Sequence, residues 1–418
     1  MLARDYRTGV AGTRDLVKCV GYAQQCINGE KKLNIPKADG YLQVALCLNA
    51  RMEDMLNVTD TKMNGTLPFS SQLADAVREA VRDYHEGSMY KRDEAVRTFR
   101  RNLFPRWKPS LGNVLACCDI FQIILEAAYE KYVSAANQNN QNYQEIARLG
   151  YVSKAYLVLA AIGTSGGALN LLAQMLINQA NQYEADQRIP FFRRHPDIGT
   201  FVQQHAAPYG WPLNDNYALA YRVLQIVCGI QRGSQPYSHM KKAELVLKGY
   251  VSESSSTQLT SLNIAINGGL AMGHYWKGRL LLEQAKQDHD RCNDYKDAAI
   301  ASFCATNVTE RFDHLPENAD EDAAPQLSPP QWLSAIELLR YPDREVFRVD
   351  RRMVFQTIYQ KLTQQVEEVQ SDRIQIHNER YRLTKKDVRS NLERCLDMVK
   401  ARFPDREPLI QEMIRSIR

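Results

Sequence analysis

The chain has 418 residues, of which 44% are apolar and 24% charged, and its 53 Lys and Arg against 48 Asp and Glu leave a net charge of +5. These figures exclude a wholly disordered chain, a collagen-like fibre and a small disulfide scaffold, because there is enough apolar side chain to bury a large core. Two or three globular lobes are expected for this length, and so small a surplus means that any affinity for nucleic acid must come from local clustering of bases.

The opening, MLARDYRTGVAGTRD, carries charge and no apolar run of the signal-peptide kind, which argues against secretion. Nine cysteines are spread along the chain with no CxxC pair, so they read as free thiols of a reducing compartment. The sequons at Asn57, Asn64 and Asn307 then read as chance matches.

Apolar residues recur at three- and four-residue intervals through most of the chain, and no alternating run suggests a sheet, so the fold class predicted is all-α. Leu73, Val77, Ala80, Val81 and Tyr84 make one helical face, with Ser70 and Ser71 as N-caps and Gly87 as a stop. A second helix follows Pro109, with Ser110 as cap and Val114, Leu115, Cys118, Phe121, Ile124 and Leu125 inward, ending near the polar run 137–142. From Ala155 to Tyr183 there is no charge. Asn170, Gln174, Asn178 and Gln179 are costly inside a bilayer, however, and GTSGG at 163–167 breaks the run, so it reads as two buried core helices.

The segments RIPFFRRHPDIG (188–199) and APYGWPLNDN (207–216) are turn-rich and read as the connection between lobes. Helical spacing returns over 217–230 and over 259–282, where Gly268, Gly269, Gly273 and Gly278 permit close helix crossings or a kink. Residues 286–322 hold ten acids against four bases, and residues 316–331 read as an exposed, acidic, Pro-rich linker. Trp332 is expected to open a last helical region, in which Val354, Ile358, Leu362, Val366, Val369 and Ile376 trace one apolar docking stripe. The predicted organisation is an N-terminal helical lobe (1–200), a C-terminal lobe (201–315), the linker (316–331) and a C-terminal helical extension (332–418).

Signatures of catalysis are few: there is no HExxH or Walker loop and no metal-like cluster of His and Asp, and GTSGG at 163–167, which fits GxSxG in letters, reads as a helix break. Eight histidines are far apart, and Cys117 and Cys118 sit in an apolar pattern where a thiol behaves as a small hydrophobe. The reading is therefore not an enzyme, and no cofactor or metal is called for.

The positive signal is basic and aromatic. KRDEAVRTFRRNLFPRWK (91–108) holds seven bases against two acids, a local surplus equal to the net charge of the whole chain. On a helix, Arg97 and Arg101 stand one turn apart with Arg100 beside them, a spacing that can align guanidinium groups along phosphates. Arg106 and Lys108 extend the patch, and Phe99, Phe104 and Trp107 offer core anchors or stacking surfaces. A second cluster, Arg188, Phe191, Phe192, Arg193, Arg194 and His195, falls in the proposed interlobe connection. A third, at 340–418, has 18 bases with 13 interleaved acids and reads better as an ion-paired helix face.

With RTFRRNLFPRWK, FFRRH and RVDRRMVFQTIYQKL in an all-helical frame, the chain resembles viral RNA-encapsidating proteins. The segment GGLAMGHYW is similar to a small-residue and aromatic stretch of some negative-strand virus nucleoproteins, and all-helical coat proteins of double-stranded RNA viruses fit nearly as well. The resemblance implies a protein of the virion and host cytoplasm that polymerises around RNA in a positive groove. Its RNA-binding residues would be Arg97, Arg100, Arg101, Arg106, Lys108, Arg193 and Arg194. Its self-assembly would use the stripe Val354, Ile358, Leu362, Val366 and Val369, covered by the chain's own body or exchanged with a neighbour. Partners would be RNA, further copies, and other viral structural proteins or a polymerase, with no membrane. The alternative is a cellular helical adaptor that binds peptides or partner helices in its grooves.

Overall fold

A computed structural model describes residues 2–10, 14–29, 37–57, 143–163, 165–186, 216–229, 235–313, 325–341, 346–370 and 385–417. Among the described residues there are helices and turns and no strand, so the all-α expectation holds. The helices expected at 70–87 and after Pro109, the turn-rich connections before 216, and Ile376 lie outside the described residues. The chain divides into two compact units, Met1–Tyr183 with Arg188–Ile230, and Gln231–Arg418 with Glu184–Gln187.

In the first unit the helices are α1 (Leu2–Thr8), α2 (Leu16–Asn28), α3 (Lys37–Asn57), α4 (Tyr143–Ile162), α5 (Gly166–Asp186) and α6 (Asn216–Gly229). Asp15 starts α2 by accepting the Lys18 amide at 2.9 Å, which satisfies one of the donors a helix start leaves open. Cys19, Val20, Ala23 and Ile27 then fall on one buried face of α2 and pack on α3. The facing cysteines, Cys19 and Cys47, are wholly buried and bonded as a disulfide across this interface. The expectation of nine free thiols fails for this pair because helix packing, not sequence spacing, brings them together.

α4 lies against α3, and every residue from 152 to 161 is buried, the signature of a helix enclosed on all sides. The Ser153 hydroxyl donates to the Ala45 carbonyl at 2.9 Å, joining the two helices inside the core. The uncharged run does break at the glycines, with α4 ending at Ile162 and α5 beginning at Gly166. Ser165 Oγ donates to Asp39 at 2.9 Å, and Gln174 donates to Asn178 at 2.8 Å, so polar groups in the run have protein partners. No helix among the described residues is long and apolar enough to cross a membrane.

The second unit contains α7 (Pro236–Leu247), α8 (Ser255–Asn267), α9 (Ala271–Gln287), α10 (Cys292–Cys304), α11 (Val308–Asp313), α12 (Pro329–Leu338), α13 (Arg351–Gln370), α14 (Lys385–Arg402) and α15 (Glu407–Ser416). The glycine pair at 268 and 269 divides the 259–282 run into α8 and α9, with Gly269 at φ +82°, a conformation glycine adopts freely. Gly278 does a different job: a Cβ there would lie 2.5 Å from the buried Phe303 ring, so its absence lets α9 close onto α10. Gly278→Ala is expected to cost about 1 to 3 kcal/mol through overpacking, read as a lower midpoint in urea with an unchanged slope. An unchanged midpoint would show that Phe303 moves aside freely.

The structure corrects the predicted organisation in three places. α6 belongs to the first unit although its residues were assigned to the second lobe. Residues 329–331 are helical: Gln331 Oε1 accepts the Ser328 amide at 3.0 Å and Ser328 Oγ at 2.9 Å, and proline suits a first helical turn, so α12 begins three residues before Trp332. Finally, the C-terminal extension is no separate body, since Trp332, Val354, Leu392 and Ile410 share one core with Tyr275 and Phe303.

The apolar stripe is closed by that core. Val354, Ile358, Leu362 and Val366 are buried and Val369 packs against them partly buried, with α12, α14 and α15 as the cover. Of the two covers expected for the five residues assigned to self-assembly, the structure shows the chain's own body.

Candidate nucleic-acid interface

The predicted RNA contacts Arg97, Arg100, Arg101, Arg106, Lys108, Arg193 and Arg194 lie outside the described residues. What the described residues show is how the second unit distributes its own charge.

On α7 the run KKAELVLK places Glu244 one turn from both Lys241 and Lys248. Lys241 Nζ lies 3.0 Å from Glu244 and Lys248 Nζ lies 3.0 Å from the other Glu244 oxygen, while Lys248 also reaches Asp387 of α14 at 2.9 Å. Lys242 points to a different partner, Glu253, at 2.8 Å. Burial alone would raise the Glu244 carboxyl, but Lys241 and Lys248 outweigh it and hold the group down to about 2. The same balance works on Lys248, whose burial is overcome by Glu244 and Asp387, so its pKa is raised. Three lysines and three carboxylates thus form a balanced network.

A second network joins α9, α12 and α14. Tyr275 and Arg279 are one turn apart on α9, Glu337 closes α12 with Arg340 just beyond it, and Arg394 lies on α14. Glu337 is only 1% exposed and takes Arg279 on one oxygen and Arg340 on the other, each at 3.3 Å. Arg394 donates to the Tyr275 hydroxyl at 2.6 Å. Burial works against the charge of Arg279, but Tyr275 and Glu337 raise its pKa. The segment GGLAMGHYWKGR therefore supplies both buried aromatics, Tyr275 and Trp276, and one arm of this network.

Burial moves several other titratable groups of the described residues toward their uncharged forms. Burial and Lys242 push His239 down, burial and Lys277 push His274 down, and burial raises the Cys304 thiol and pushes Cys395 up to about 12. A thiol so shifted is a poor nucleophile at neutral pH. Among the described residues no group of three His, Cys, Asp or Glu could hold a metal ion. A cavity of about 290 Å³ between α7, α8 and α9 is lined by Glu253, Gln258, Glu283 and Gln284, but its carboxylates already face Lys242 and Lys286. Along the last helices the interleaved charges do pair, as Arg389 with Glu393 at 3.0 Å and Lys400 with Glu407 at 3.9 Å.

Comparison with known proteins finds no matching family model, no matching characterised sequence and no matching solved structure. The functional reading rests on the residues themselves.

Proposed function

We propose that this chain is a viral structural protein that assembles with itself and encapsidates RNA through sequence-independent phosphate contacts. The observation that carries the reading is the clustering of positive charge in the sequence. The buried lysines of α7, Lys241 and Lys242, have carboxylate partners, whereas residues 91–108 alone hold a surplus equal to the net charge of the whole chain. A basic, aromatic-interleaved run of this kind neutralises phosphates and releases counterions without reading bases. Side-by-side copies would then convert weak contacts into continuous coating. Residues Arg97, Arg100, Arg101, Arg106 and Lys108 are its first contacts, with Arg193 and Arg194 on the same surface. Such a protein works in the virion and the host cytoplasm, with RNA and further copies as partners.

The decisive experiment is a salt titration of RNA binding by the whole chain and by an Arg97→Ala, Arg100→Ala, Arg101→Ala variant. Each lost phosphate contact should reduce the slope of log affinity against log salt by about 0.7 to 0.9. A folded variant with an unreduced slope would return the three arginines to a solvated helix face. Charge reversal at Arg193 and Arg194 should weaken all RNA sequences about equally, since phosphate contacts carry no base information. A loss confined to some sequences would mean base readout instead.

A further inference from the structure

The network on α9, α12 and α14 is built differently from the lysine network. Arg279, Arg340 and Arg394 face three carboxylates, Glu283, Glu337 and Asp397, of which only Glu337 is buried. Asp397 is 66% exposed and 3.9 Å from Arg340, so solvent screens that pair. Glu283 also acts on Arg279, but it is engaged by Lys286 at 2.8 Å. Glu337 is left as the one buried counter-charge for three guanidinium groups.

The geometry around that carboxylate is that of a mount. Glu337 divides its two oxygens between Arg279 and Arg340, which fixes both side chains across two helices while leaving Arg340 39% exposed. Arg394 is anchored differently, by an uncharged phenol oxygen, which satisfies a donor and none of the charge. A guanidinium has five N–H donors in a planar fork, and its best complement is a planar pair of anionic oxygens such as a phosphate presents. Prior ordering by Glu337 and Tyr275 lowers the entropy lost when such a ligand binds.

We propose that Arg279, Arg340 and Arg394 form a phosphate-binding site on the second unit that takes the phosphodiester backbone of RNA, with Glu337 and Tyr275 as positioning residues. This rests on the RNA-coating reading and adds to it a contact set far in sequence from the basic runs. The site joins residues of α9, α14 and the turn after α12, and its arginines stand one by one in the sequence.

The test uses the whole chain, a fluorescent oligouridylate read by anisotropy over a salt series, and inorganic pyrophosphate as a second probe read by thermal protection. The variants are Arg340→Gln, Arg394→Gln, their double, and Arg394→Lys. Arg389→Gln, on the same helix and paired with Glu393, is the control. Each glutamine variant should weaken oligouridylate about tenfold and reduce the salt slope by about 0.7. Arg394→Lys should recover the slope, since it keeps the charge, and a merely structural arginine would show no such rescue. If the double variant binds with unaltered affinity and slope while the variant of Arg97, Arg100 and Arg101 loses slope, the cluster is an internal staple and the coating reading stands without it. If the double variant loses only pyrophosphate protection, the site takes free phosphate and the RNA assignment is wrong. A wild-type chain that binds no oligouridylate at any salt concentration overturns both proposals together.

Discussion

A chain shortened to end at residue 317, before α12, is expected to lose the folded second unit and not merely an arm. The four helices from α12 onward supply Trp332, Ile336, Val354, Ile358, Leu362 and Leu392 to the same core as Tyr275 and Phe303. Burying the five side chains of the α13 stripe contributes on the order of 7 to 15 kcal/mol before ordering costs, which is comparable to the entire net stability of a domain. The truncation also removes Glu337 and Arg394, leaving Arg279 without its buried carboxylate and Tyr275 without the Arg394 donor. Hydrogen exchange on the shortened chain should find the amides of α9 and α10 unprotected while those of α3 and α4 keep their protection. Protected α9 amides, with assembly abolished, would instead restore the C-terminal helices to the role of an exchanged arm.

Helical class was legible because the three-to-four period is a local property, and local properties survive in a single sequence. The break in the uncharged run at 163–167 was legible for the same reason: glycine disfavours a helix interior wherever it occurs. The boundary at Pro329 was misread because prolines look like linker residues until the capping partners Ser328 and Gln331 are seen to close the first turn. The α13 stripe announced that something must cover it, but a stripe does not say what. Its cover includes Val388 of α14 and Ile410 of α15, to which the periodicity within α13 cannot point.

The site was less legible than the fold. Arg279 and Glu337 are 58 residues apart in sequence, and Tyr275 and Arg394 are separated by 119, so no spacing rule could join them. Arg340 and Arg394 fell within a run whose interleaved acids pointed to ion pairing, and several of its members do pair in that way. A basic run such as 91–108, by contrast, is visible because its charges are adjacent in the chain. Sequence reading favours clusters made by adjacency, and structure adds those made by packing, as Cys19 with Cys47 also shows.

Glu244→Gln is expected to cost about 3 to 5 kcal/mol, because it removes the shared carboxylate of two lysines and leaves Lys241, itself buried, without its partner. The same residue should set much of the acid limb of the stability curve. Its carboxyl is held near 2 in the folded chain against 4.5 when unfolded, since the attraction of Lys241 and Lys248 exceeds the cost of burial. A depressed carboxylate contributes stability that is fully present above its unfolded pKa and is lost as pH falls through the folded one. The window is therefore from about pH 5 down to about pH 2, and a shift of this size corresponds to about 3 kcal/mol. Chemical denaturation at a series of pH values should show the wild type losing stability across this window and Glu244→Gln starting lower and falling less. Lys248 has a second partner in Asp387 at 2.9 Å, so Asp387→Asn should reproduce only part of the loss. If wild type and Glu244→Gln lose stability in parallel as the solution is acidified, other carboxylates carry the acid limb and the lysine pair does not hold Glu244 ionised.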